Sequence, residues 1–382
     1  MLIIMTINEQ IESGISTIVL TADTAESVVV PSWASVTIDL NGFKLTGNGS
    51  DHTVINKGKL IITDTSVAKT GVIRNEVYDR YCVHNDYGAN LTVNGGKMEK
   101  VQRGYTIHNW GASATINNVQ IIQTDASMVS AAISNGFYNP PVENPDKVFC
   151  NMLITGGYVV TAGNPNAAVK NDEYGILTIT GGTFKAHMRA LNNWNDTTVT
   201  GGTFESETGA PIISGSYPSD GGRCDLTITG GTFKGTGASA IVDCSEGQSD
   251  PNYVAPQWAV SGGSFNVPVA EQYCSPGFKV EQLPDGSYGT VKIKSWEPVV
   301  KAPCGIGFMG LSSAIFQIPS IEYTAGGIEP PLTKSFVPAA LISASAEGGL
   351  TGYFDGQKIK LYRGVSEASG TIVNLQLIML GH

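Results

Sequence analysis

Residues 177–184 read LTITGGTF, in which apolar and polar positions alternate, then meet Gly-Gly and an aromatic. Period-two alternation closed by two glycines predicts a short half-buried strand and a tight corner. The same eight letters return at 226–233, with near copies TTVTGGTF at 197–204, WAVSGGSF at 258–265 and MLITGGYV at 152–159. Alignment on the first glycine uses Gly95, Gly156, Gly181, Gly201, Gly230 and Gly262, with Asp64 and Asn118 in the same place in two further copies. Two residues earlier stands a β-branched residue every time: Ile62, Val93, Ile116, Ile154, Ile179, Val199, Ile228 and Val260. Three residues later stands an apolar one: Val67, Met98, Ile121, Val159, Phe184, Phe204, Phe233 and Phe265.

A second anchor precedes each copy, written VIN, VHN, IHN, ISN, VKN and LNN. Its asparagines are Asn56, Asn85, Asn109, Asn135, Asn171 and Asn193, with Ser214 and Asp243 in the last two copies. Each unit therefore holds at least two strands with different corners, and there are eight units. A unit of about 20 residues with no helical stretch is too short for a propeller blade and fits one coil of a parallel β-helix. Stacking sets equivalent positions ~4.8 Å apart, so eight coils make a rod of roughly 40 Å. The phenylalanines then stack inside, and the corner asparagines form a ladder of amide hydrogen bonds. TINEQIESG, near the N-terminus, predicts a short amphipathic helix covering the open end of the first coil.

The stretch IVLTADTAESVVVPSWASVTIDLNGFKLTG resembles the opening of right-handed β-helix proteins of the pectin-lyase-like class. The LTITGGTF coils resemble those of β-helix surface and virion proteins of gut bacteria and their phages. YCSPGFKVEQLPDGSYGTV at 273–291 is similar to the closing hairpin of that group. The resemblance covers about residues 1–292. The expected fold is all-β: a right-handed parallel β-helix of about eight repeat coils with an N-terminal cap, followed by a small C-terminal β domain. The expected boundaries are 1–50 for the cap and first coil, 51–292 for the repeats and 293–382 for the C-terminal domain. From Trp296 onward the repeat is lost and prolines punctuate the chain. The apolar runs FVPAALISAS and TIVNLQLIML suggest subunit contacts there, in a trimer.

Composition narrows the function. The 382 residues carry 33 acidic and 23 basic side chains, a net charge of -10, which argues against a nucleic-acid surface. No apolar run reaches the ~18 residues of a membrane span. The N-terminus lacks the basic region of a signal peptide. The six cysteines make no CxxC or Cys/His metal spacing and read as small buried hydrophobes in a disulfide-free chain. No metal ligand set, cofactor or catalytic set is expected.

Function is sought where the copies differ. The loops after the Asn corner carry Tyr87, Trp110, Tyr174 and Trp194, with Asp172 and Asp196 beside them. Phe137, Tyr138 and Tyr217 lie in longer loops, and the insertions 136–150, 215–224 and 244–257 fall at the same corner. In a solenoid such insertions share one side, and aromatic faces beside hydrogen-bonding groups suit sugar rings. These six residues are the expected binding site. His84 and His108 stack on the face before the corner, either as acid–base groups or as solvated face residues. The resemblance implies a virion appendage, a phage tail spike, tail fibre or head fibre. Such an appendage forms a homotrimer, joins other virion proteins, binds a host-cell-surface glycan and resides in the virion. Two alternatives stand beside it: a polysaccharide depolymerase using pairs such as Asp172 with Asp196, and an adhesin on the bacterial cell surface.

Overall fold

The computed structural model describes residues 5–123, 131–138, 146–161, 167–217, 224–251, 253–276, 278–292, 298–303, 312–323, 338–345, 351–354, 359–363, 366–367 and 370–381. The chain forms two compact units, Met1–Val291 and Lys292–His382.

The first unit is a parallel β-helix with three sheets. The first sheet has ten strands in rising chain order, from Thr17–Val19 to Gln257–Val260. The second has twelve, and the third has nine, from Val28–Val30 to Ile241–Asp243. The alternating pattern explains the inward faces: Ile38, Ile62, Val93, Ile116, Ile154, Ile179, Val199, Ile228 and Val260 pair in register and are fully buried. Of the first sheet's strands, two come from residues 1–50, so that segment holds two irregular turns where the sequence suggested one. Each repeat also has a third strand, which begins just after the glycine pair where there is one.

The two corner glycines are needed for different reasons. A Cβ on Gly181, Gly201, Gly230 or Gly262 would lie 2.4, 2.4, 2.3 or 2.0 Å from a carbonyl oxygen of the preceding coil. The second glycine has the left-handed φ that L side chains rarely adopt, from +91° at Gly96 to +113° at Gly157. Just beyond, Phe184, Phe204, Phe233 and Phe265 stack with centroids 5.0, 5.0 and 4.8 Å apart. One alignment is corrected. Val67 is fully exposed, and Ile73 takes its place in the apolar column beside Met98. The reason is a longer corner pinned by the Asp64 carboxylate, which accepts from Gly42 N, Ser66 N and Gly71 N at 2.9, 3.1 and 2.7 Å.

At the other corner the asparagines form a continuous buried ladder. The Nδ2 of Asn56, Asn85, Asn109, Asn135 and Asn171 each donates to the next Oδ1, at 2.7, 2.7, 2.7, 2.9 and 3.2 Å. Asn193 ends the run on Ser214 Oγ at 3.1 Å. The second amide hydrogen goes to corner carbonyls, such as that of Ala112 from Asn109 at 3.0 Å.

Both ends are closed. A helix, Ile7–Glu12, starts at a Thr6–Glu9 capping box and buries Ile7 and Ile11. Glu26 accepts from Ile7 N and Asn8 N, both at 2.8 Å. The Asn8 side chain accepts from Val29 N at 2.9 Å and donates to Ser27 O at 2.9 Å, so it pairs with the edge strand as a neighbouring strand would. At the far end the strand Tyr288–Lys292 adds antiparallel to Ser264–Phe265 and continues the hairpin with Phe278–Gln282. The second unit holds an antiparallel four-stranded sheet of Pro298–Pro303, Ser312–Tyr323, Gly370–Gly381 and Pro338–Ser345, plus a three-stranded sheet of Thr351–Phe354, Ile359–Arg363 and Ser366–Glu367.

Asn109→Ala removes three good amide bonds and strands buried partners. It is expected to cost about 3 kcal/mol, read as a lower denaturant midpoint. Thr198→Ala, on the outward face of the first sheet, should stay within about 0.5 kcal/mol of the parent protein.

Candidate functional site

On the third sheet, residues between the inward apolar position and the ladder Asn point outward. In register they run Val29, Ile55, His84, His108, Ser134, Lys170, Asn192, Ile213 and Val242. The ends are apolar and the middle five are polar. Val29 and Val242 are 40% and 43% exposed, yet His84, His108, Ser134 and Asn192 are 7%, 8%, 0% and 7% exposed. An outward strand face is covered at its polar centre.

Aromatic rings supply much of that cover. Tyr81 lies 4.9 Å from His108 and 5.7 Å from His84, centroid to centroid, and Tyr105 lies 4.8 Å from His108. Trp110 closes the other side, 5.3 Å from His84 and 5.5 Å from His108. His52 stacks on Tyr81 at 4.4 Å and on His84 at 4.9 Å. These rings have a sequence signature that the corner-centred reading passed over. HTVIN at 52–56, YCVHN at 81–85 and YTIHN at 105–109 each place a ring four residues before the ladder Asn.

Lys170 is held by Asp172, whose Oδ1 lies 2.6 Å from its Nζ. The other Asp172 oxygen lies 3.4 Å from Ser134 Oγ. Tyr138, 78% exposed, sits with its ring 5.1 Å from Lys170 Nζ. Burial lowers the pKa of all three histidines: His52 falls to about 4, with His84 next to it adding to the effect. His84 is lowered by burial against the opposing pull of Asp86, and His108 lies well below the ordinary value. At neutral pH the three rings are uncharged.

The second sheet gives a contrast. Its outward charges satisfy each other coil to coil, Arg74 with Glu99 at 2.7 Å and Glu205 with Lys185 and Lys234 at 2.7 and 2.9 Å. On the third sheet, His84 Nδ1, His108 Nδ1, Asn192 Oδ1 and Trp110 Nε1 are buried with no hydrogen-bond partner among the described residues. A buried polar atom left in that state costs roughly 1–3 kcal/mol, and here these atoms lie beneath the covering rings.

The six expected binding residues are distributed unevenly around this face. Tyr87 and Trp110 come together, 6.3 Å apart, and the Tyr87 ring lies against Gly111, where any Cβ would be 2.6 Å from it. Asp172 belongs to the covered centre. Tyr174 is 2% exposed, has a left-handed φ of +61° and packs with Phe137 and Phe149. Its ring faces protein, unlike the exposed ring of Tyr87. Trp194 is half-buried, one coil beyond Tyr174. Asp196 is exposed on the first sheet, where its carboxylate accepts from Asp225 N at 3.3 Å. Asp172 stands in the corner just after the third-sheet strand Ala167–Asn171, whereas Asp196 opens the first-sheet strand Asp196–Val199. Insertion residues 139–145 and 218–223, and Asn252, lie outside the described residues.

The five described cysteines sit where burial keeps the thiol protonated. Burial pushes the Cys82, Cys150 and Cys224 thiols up to about 12. All five described cysteines are free, and Cys304 lies outside the described residues. Among the described residues no group of three or more His, Cys, Asp or Glu is placed to hold a metal ion, and no helix is long and apolar enough to cross a membrane.

Compared with known proteins, the chain matches no family model, no curated protein and no solved structure. The parallel β-helix is thus established by the structure itself.

A histidine whose pKa is depressed by folding withholds a proton that the unfolded chain accepts. Stability should therefore fall as pH drops below about 6.5, with the loss for His52 complete near 4. In thermal unfolding from pH 7 to 4, His52→Gln should lose less stability than the parent protein, by up to about 3 kcal/mol.

Proposed function

We propose that the chain is a structural appendage of a virion, a tail spike, tail fibre or head fibre, that presents a binding surface for a host-cell glycan. The observation that carries the glycan-binding half is the cluster of part-exposed rings, Tyr81, Tyr87, Tyr105 and Trp110, over the third sheet. Sugar rings need aromatic faces for their C–H surfaces, and these rings offer them. The appendage half rests on the parallel coil stack with its N-terminal helix cap and its closing hairpin. The second unit, read as the trimer contact and the link to other virion proteins, completes this reading.

A second reading, cleavage of the bound polysaccharide, is favoured by one feature. Lys170 and Asp172 form a close pair beside neutral His108, which is acid–base material on the same face. Release of reducing ends or unsaturated sugars from capsule or cell-wall glycans is the signature of that reading.

Trp110→Ala should weaken binding of the best ligand on a glycan array by about tenfold or more, while Thr198→Ala leaves it unchanged. Light scattering should give a concentration-independent mass of three 40.2 kDa chains. A monomer that binds no glycan would overturn the proposal.

A further inference from the structure

The corner that carries Tyr87 and Trp110 begins earlier in the chain than the asparagine ladder does. Val30, Asn56 and Asn85 pair in register on the third sheet, and Ser35, Lys59 and Asn90 pair in register on the first. Residues 31–34, 57–58 and 86–89 are therefore successive corners of one edge. The first of them holds Trp33, which is 63% exposed and the most exposed tryptophan among the described residues. Alignment on asparagine passes it over, because Val30 stands where later coils have the ladder Asn.

The turn that presents Trp33 is held firmly. Ala34 N donates to Pro31 O at 2.9 Å, Lys57 N to Val30 O at 2.8 Å and Lys59 N to Ala34 O at 2.9 Å. Gly58 packs against it, where a Cβ would come 2.2 Å from Pro31 O and 2.5 Å from Ala34 O. Among the described residues the indole itself makes no hydrogen bond and no ring contact. A rigid turn thus holds a large ring out in water, with little left to order when something stacks on it.

Two coils on stands Tyr87, 38% exposed, and at ~4.8 Å per coil the two ring-bearing corners are roughly 10 Å apart. The corner between them has two residues where its neighbours have four, so its backbone takes the shorter path and Gly58 is buried. Its Lys57 Nζ lies 4.0 Å from Asp86 Oδ2, with the side chains 53% and 30% exposed. That separation is too long for a hydrogen bond, so donors and an acceptor face water between the rings. The other Asp86 oxygen accepts from Tyr87 N at 2.9 Å.

We propose that Trp33 is a second sugar platform, and that Trp33, Lys57, Asp86 and Tyr87 together bind an oligosaccharide segment of a disaccharide or longer. This rests on the glycan-binding reading and adds a subsite to it. Sugar C–H faces stack on the indole and the phenol, and hydroxyls between them reach Lys57 and Asp86. One pyranose ring is shorter than the gap, so a single unit engages one platform at a time. A longer segment engages both, and its second contact is intramolecular.

The test is a panel of bacterial capsule and cell-wall oligosaccharides, graded from monosaccharide to hexasaccharide and titrated into the full chain by calorimetry at pH 7. The parent protein should gain about tenfold or more in affinity from monosaccharide to tetrasaccharide. Trp33→Ala should lose about tenfold on tetrasaccharides and stay within about threefold on monosaccharides, so the gain with length disappears. Trp33→Tyr keeps an aromatic face and should stay within about threefold at every length. Because Trp33 is largely exposed, Trp33→Ala should keep the parent thermal midpoint. Parent-level binding by Trp33→Ala at every length overturns this proposal and leaves the glycan reading standing. So does parent-level binding with a reduced mass by light scattering, which makes Trp33 a subunit contact. An equal loss at every length overturns the pairing of the two platforms. Binding of no panel member by the parent protein overturns both readings.

Discussion

The structure depends on the ladder of asparagine amides at one corner. A chain that turns sharply inside a solenoid buries carbonyls that no strand can pair. Each Asn covers the corner carbonyls with one hydrogen and reaches the next coil with the other. Because every amide depends on its neighbour, the ladder fixes the register of all three sheets. A slip of one residue would turn His84 inward and Asn85 outward, leaving an imidazole in the apolar core.

Much of this architecture is legible in the sequence, because stacking forces like onto like. Columns such as Ile179, Val199 and Ile228, the glycine pairs and the phenylalanine stack are visible by alignment alone. The failures come where one coil departs from its neighbours. The corner at Asp64 is lengthened to Gly71, so counting from the corner finds exposed Val67 instead of Ile73. The extra turn in residues 1–50 has no glycine pair to announce it.

The candidate site was only partly legible, for a related reason. Residue type marks Tyr87 and Trp110 as aromatic corner positions, but it does not reveal burial. Tyr174 looks equivalent to them and is packed under the ends of an insertion. The cover over His84 and His108 comes from Tyr81 and Tyr105, which lie upstream of the strand, away from the corner where aromatic side chains were sought. Asp172 likewise stays in the corner while Asp196 opens a strand of the first sheet.

The helix at the N-terminal end has a consequence for assembly. Asn8 occupies the hydrogen-bonding positions on the third sheet's first strand that a further strand would use, and the antiparallel hairpin stands at the opposite end of the second sheet. A bare parallel stack is an open template, able to lengthen by adding another molecule end to end. This chain supplies its own terminators, and the two are chemically unlike. The two ends of the coil stack are therefore built by different means, a helix at one and a hairpin at the other.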